Sequence, residues 1–124
     1  MRSWLMKSLA MAAALFMLAG GPFMSTASAG AKIALVLDVG GRGDLSFNDM
    51  GFKGTDEAQA NLGVEVVEIQ SNSAADYLPN LQNAARSGKF DLIVAVGFLL
   101  SDAMAEVADQ FPDQKFAIID VTWL

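Results

Sequence analysis

The chain has 124 residues, with fourteen acidic and eight basic side chains, a net charge of −6, and neither cysteine nor histidine. That inventory excludes a disulfide framework and removes the usual zinc ligands. It also makes nucleic acid a poor partner, because phosphate contacts need Lys and Arg.

Residues 1–29 are built differently from the rest. Arg2 and Lys7 give a positive start, the stretch from Leu9 to Ala19 is apolar, and small residues lead to Ala27-Ser28-Ala29. This is the layout of a secretory signal peptide, with cleavage expected between Ala29 and Gly30. The apolar run is shorter than the roughly 20 residues of a membrane-spanning helix. An uncleaved membrane anchor is the competing reading. Without cysteine after the apolar run, a lipid-anchored form is not expected. Residues 30–124 then carry six basic against fourteen acidic side chains, a net charge of −8.

Residues 32–37, KIALVL, form a short continuous apolar run, as in a strand covered on both faces. Residues 46–63 have helical character, with Gly63 placed to end the helix in a left-handed conformation. VEVVEI, 64–69, is a β-branched strand whose Glu65 and Glu68 point to an exposed, edge-like position. Residues 73–88 read as a helix with Ser73 and Asp76 at capping-box spacing. Pro79 fits only its first turn, so the regular helix is expected from near Pro79, with Gly88 at its end. FDLIVAVG, 90–97, is a second fully apolar strand. Residues 101–111 make a helix with Ser101 as N-cap, stopped before Pro112. KFAIID, 115–120, is the fourth strand and an exposed apolar edge, which predicts an aggregation-prone isolated chain.

Strands alternating with helices give βαβ units and a parallel sheet. Right-handed crossovers make 2-1-3-4 the expected order, a Rossmann-like α/β fold. Ligands of such sheets bind beyond the carboxyl ends of the strands, where strand order reverses. Three segments meet that edge: Asp38 to Asn48 after strand 1, Gly97 to Ser101 after strand 3, and Asp120 after strand 4.

The first segment, DVGGRGDLSFND, is the richest in chemistry. Gly40, Gly41 and Gly43 permit close approach of the backbone to a ligand, or merely form a loose loop. They match neither the dinucleotide fingerprint nor a P-loop. Arg42-Gly43-Asp44 contains an RGD tripeptide, in which Arg42 is expected to pair with Asp44. Phe47 is either a hydrophobic staple on the following helix or a ring presented to a flat ligand. Asn48 offers donor and acceptor to a heterocycle edge, or sits in the first turn of the helix. Asp38 and Asp120, two carboxylates ending apolar strands, favour a ligand that donates from hydroxyl or NH groups. Phe98 is expected in the core, behind a tight strand exit at Gly97.

KIALVLDVGGRGDLSFNDMGFKG, SAADYLPNL, FDLIVAVGF and FPDQKFAIID together resemble the basic membrane protein (Bmp) family, PnrA-like substrate-binding proteins of ABC importers. The resemblance covers the whole of residues 30–124. It implies a type I periplasmic-binding-protein fold of two lobes and a purine nucleoside held in the cleft between them. On this implication Phe47 stacks on the base, Asn48 and Asp120 bond its edge, and Asp38, Gly40, Gly41, Ser46 and Gly97 line the pocket. It further implies no enzymatic activity, no cofactor, no metal, and an inner-membrane permease as partner. The location is periplasmic or secreted and soluble. Two lobes of roughly 150 residues each exceed this length. The chain is therefore expected to supply part of one N-terminal lobe, without the second aromatic wall. Two alternatives remain: a sugar- or autoinducer-binding protein of the same superfamily, and a flavodoxin-like enzyme or receiver domain. A secreted module acting through the RGD tripeptide is a further one.

Overall fold

The computed structural model describes residues 30–122, so the signal-peptide expectation lies outside the described residues. Four strands, β1 (Lys32–Leu37), β2 (Glu65–Gln70), β3 (Leu92–Val96) and β4 (Phe116–Ile119), form one sheet in the order β2-β1-β3-β4. Every pairing is parallel, as the crossover argument requires. Three helices connect the strands: α1 (Phe47–Leu62), α2 (Tyr77–Arg86) and α3 (Ser101–Gln110).

The two-residue alternation of the central strands sorts the core into two layers. Ala34, Val36, Ile93 and Ala95 face α2 and α3, where Leu81, Ala84, Leu100, Met104 and Val107 are buried. Leu35, Leu37 and Val96 face α1, which contributes Phe52. The α1 layer is thin because the helix is polar, and it compensates by close approach. A Cβ on Gly51 would stand 3.1 Å from Val96 Cγ2.

The element boundaries follow local chemistry. Gly63 ends α1 at φ +66, and its N–H donates to the Gln59 carbonyl. Before α2, a short 3₁₀ turn covers Ala74–Asp76. The Asp76 carboxylate accepts the N–H groups of Asn72 and Ser73, which realises that half of the expected cap. Pro79 lies in the first turn of α2. One expectation fails here. Ser101 is the first helical residue of α3 rather than its cap, because a 3₁₀ turn over Phe98–Leu100 leads straight into the helix. β2 and β4 are the sheet edges, and Glu65 and Glu68 on β2 are exposed as their charge demands.

Candidate functional site

The carboxyl edge of the sheet brings together the loop after β1, the turn after β3 and the exit of β4. The first loop is organised by its own carboxylates. Asp44 Oδ1 accepts the N–H groups of Ser46 (2.9 Å) and Asp49 (3.1 Å). Its Oδ2 accepts the Asn48 N–H (3.0 Å) and the Asn48 side-chain amide (2.9 Å). Asp44 thus satisfies donors at the start of α1 that the helix itself leaves open. Burial alone raises the Asp44 pKa, but the three backbone N–H groups and the Asn48 amide outweigh it, and the value is lowered to about 2. Asp49 works in the opposite direction along the chain. Its carboxylate accepts the N–H groups of Gly43 (2.7 Å) and Leu45 (3.0 Å). Leu45 is held there at φ +55 with its side chain 92 % exposed.

Asp38 closes the constellation. Its Oδ1 accepts the Gly40 N–H (2.8 Å) and the Asn48 Nδ2 (2.7 Å). The Asp38 carbonyl accepts from Gln70 Nε2 (2.7 Å), which ties the loop back to β2. Gly41 packs on the same glutamine at φ +59. A Cβ there would fall 2.6 Å from Gln70 Oε1, so no larger residue fits without moving Gln70. Gly97 leaves β3 at φ +97, and a Cβ on it would stand 3.2 Å from Asp38 Oδ2. Val96 pairs with Ile119, and the Gly97 N–H donates to the Ile119 carbonyl, so Gly97 and Asp120 leave the sheet at adjacent positions. Asp120 is exposed at φ +66.

Asp38, Gly40, Gly41, Asn48 and Gly97 therefore converge within direct contact of one another or of Gln70. Phe47 stands at the first position of α1 with its ring half-exposed, at 49 %. The core contact from this helix comes from Phe52 instead. Ser46 is exposed, and its hydroxyl makes no capping bond because Asp44 already takes the helix N–H groups. Asn48 is buried, at 1 % exposure, as are Gly41 and Gly97.

Two expectations about side chains are overturned. Phe98 is 61 % exposed, not in the core. The turn at Gly97 rotates Phe98 and Leu99 outward and buries Leu100 in their place. Arg42 does not pair with Asp44, whose oxygens are occupied by N–H groups. Its Nη2 bonds Glu68 Oε1 on β2 (2.7 Å), and its guanidinium lies 3.5 Å from the centre of the Phe52 ring. With Arg42 pinned and Asp44 internally satisfied, the RGD tripeptide is a structural turn. Sequence reasoning missed Asp44, Asp49 and Gln70 as organisers. The spacing of Asp44 two residues before Ser46 and four before Asn48 is the signal that could have found Asp44, since short carboxylates seek N–H groups two to four residues on. Gln70 left no such local signal.

Among the described residues, no group of three or more His, Cys, Asp or Glu is placed to hold a metal ion, and no helix is long and apolar enough to cross a membrane.

A parallel α/β sheet with a Gly-rich, carboxylate-bearing loop at its switch point is a Rossmann-like architecture, and ligands of such sheets sit outside the carboxyl ends of the strands. The chain belongs to the Bmp family, described as ABC transporter substrate-binding protein PnrA-like, whose profile matches residues 31–122. It is 48 % identical over 103 residues to an uncharacterized lipoprotein of Pyrococcus abyssi, covering 83 % of this chain and 26 % of that protein. It is 36 % identical over 93 residues to the ABC transporter nucleoside-binding protein BmpA of Lactococcus lactis, covering 72 % and 26 %. A solved ABC transporter solute-binding protein from Aeropyrum pernix superposes with a TM-score of 0.71 at 48 % identity, covering 74 % of this chain and 25 % of that one. The chain thus spans about a quarter of the length of the relatives it matches. The fold is the Rossmann-like parallel sheet of a type I periplasmic-binding-protein lobe, present in part.

Proposed function

We propose that this chain carries the base-binding edge of a purine-nucleoside-binding protein serving an ABC importer. The observation that supports this most is Phe47, an aromatic residue left half-exposed at the start of α1, next in the chain to the Asn48 that binds Asp38. An exposed phenylalanine at the start of a polar helix has little structural use, whereas every purine has a π-face to stack on it. In this reading Asp38 Oδ2 and the Asp120 carboxylate accept from ligand NH or OH groups. Ser46, Gly40, Gly41 and Gly97 shape the approach, and Phe98 adds apolar surface on the β3 side. The family relation supports a solute-binding rather than an enzymatic role. The name of the Lactococcus relative supports the nucleoside. The leader layout of residues 1–29 supports export, cleavage after Ala29 and a soluble form outside the inner membrane, in reach of a permease.

A titration of the chain with inosine, guanosine, adenosine, ribose and glucose, followed by backbone NMR shifts, tests the proposal. The expected result is saturable shifts at Phe47, Gly97 and Asp120 with the nucleosides and none with glucose. Phe47→Ala should weaken nucleoside binding by roughly one order of magnitude, from a stacking contribution of about 1–3 kcal/mol. Shifts with glucose alone would replace the nucleoside by a sugar. A Phe47→Ala variant that melts lower but binds as well as its parent would return Phe47 to a purely structural role.

A further inference from the structure

The side-chain amide of Asn48 lies between two carboxylates. Its Nδ2 donates to Asp38 Oδ1 at 2.7 Å and to Asp44 Oδ2 at 2.9 Å. Turning the amide over would set its oxygen against two groups that only accept, so its orientation is determined. Asn48 Oδ1 is buried and has no hydrogen-bond partner among the described residues, an arrangement that persists only when the other contacts of the side chain over-determine it. With its donors taken and its oxygen covered, this amide is placed to hold its neighbours, not to read a ligand.

What it holds is Asp38. The Asn48 amide and the Gly40 N–H both sit on Oδ1, and Oδ2 is left toward Gly97, whose missing side chain keeps the space open. Asp44 is the fixed end of this chain of contacts. Its carboxylate is gripped by three backbone N–H groups at the start of α1, while Asp38 hangs from the last turnout of β1.

We propose that Asp44 is a positioning residue of the ligand site: acting through the Asn48 amide, it holds the Asp38 carboxylate with Oδ1 occupied and Oδ2 presented to a ligand NH or OH group. The proposal rests on the nucleoside reading for the identity of the ligand, but the contact chain itself is independent of it. Asp44 remains ionised throughout the neutral range, so the relay is permanently engaged there.

The test compares Asp44→Asn with Asp49→Asn in the full chain. Asp49 binds two loop N–H groups and leaves the Asn48 side chain untouched, so it controls for loss of loop structure. Two quantities are read in each variant: solvent exchange of the Asn48 side-chain NH₂ protons by ¹⁵N NMR, and inosine affinity by shift titration. Asp44→Asn is expected to speed that exchange and weaken inosine each by roughly tenfold, the scale of one lost charge-assisted hydrogen bond. Asp49→Asn keeps an acceptor oxygen for its loop N–H groups and touches Asp44 only through its backbone N–H, so it is expected to change both quantities clearly less than Asp44→Asn does, even if it melts lower. If Asp44→Asn does not fold, Asp44→Ser keeps an acceptor for a helix N–H group and is read the same way. Equal losses in the Asp44 and Asp49 variants, or Asn48 protons as protected in Asp44→Asn as in the parent, would overturn the proposal. A parent chain that takes up no inosine while Asp44→Asn still frees the Asn48 amide would sink the nucleoside and leave the positioning role standing.

Discussion

The loop after β1 and the rim formed by α3 and β4 lie on the same sheet but are held by opposite means. In the loop, three carboxylates collect backbone and amide N–H groups, and most residues are exposed or partly exposed, Gly41 and Asn48 being buried. At the rim, Met104, Ala105, Ala108, Phe116, Ala117 and Ile118 line a groove of about 360 Å³ between helix and edge strand, with Asp109 at its border. In the parallel register the carbonyls of Lys115 and Ile119 point to β3, so the backbone groups of Phe116 and Ile118 point away from the sheet. Hydrogen bonds are directional, so the loop is shaped to within a rotamer. Apolar contact is not, so the rim adapts to whatever covers it.

The comparison breaks most visibly where the two regions share a support. Leu100 is fully buried beneath the turn after β3 and packs with the α3 layer. Leu100→Ala should cost about 2–5 kcal/mol in denaturant unfolding and loosen both regions together. Gly97→Ala comes next. At φ +97 any side chain is strained, and its Cβ would crowd Asp38 Oδ2. A loss of about 1–3 kcal/mol is expected in the same measurement, with the amide shifts of Asp38 and Gly40 moving and those of β4 unchanged.

Acid sharpens the contrast without a core mutation. The folded Asp44 has a pKa of about 2 against an ordinary 3.8. A depressed pKa contributes stability that is complete above the unfolded value and is lost as pH falls through the folded one. Acid unfolding followed by circular dichroism should therefore show a stability loss between pH 3.8 and 2 that is shallower in Asp44→Asn. The smallest effect is expected at the rim. Ile119→Lys places a charge on a half-exposed edge position, and stability should change by less than about 0.5 kcal/mol. Sedimentation should nonetheless show less self-association, because a lysine blunts an open strand edge.

Much of the fold was legible because it depends on patterns inside single segments. Apolar runs of strand length, Gly63 after Leu62 and Pro79 in a first turn each point to one local structure, and the alternation of elements then leaves few sheet orders. The edge position of β2 was readable from Glu65 and Glu68. The convergence of Asp38, Gly40, Gly41, Asn48 and Gly97 at the carboxyl edge of the sheet was readable from the alternation of elements. What stayed hidden depends on partners distant in sequence. Arg42 has Asp44 two residues away, yet its partner is Glu68, which parallel pairing of β1 and β2 brings alongside. Phe98 follows an apolar strand and reads as more of the same. Only the backbone rotation at Gly97 decides that Leu100 goes inward and Phe98 outward.

The capping of α1 by Asp44 has a consequence for the charge of what approaches. In many parallel α/β proteins the first helix after the first strand offers bare N–H groups and a positive dipole end to a phosphate. Here two of the first three N–H groups of that helix, and the Ser46 N–H before them, already point at a carboxylate of the chain itself. Asp38 and Asp49 add two more negative charges within the same loop. The seat that this architecture elsewhere reserves for an anion is thus filled from within, and under the proposed nucleoside function the same loop would disfavour a phosphorylated form of the ligand.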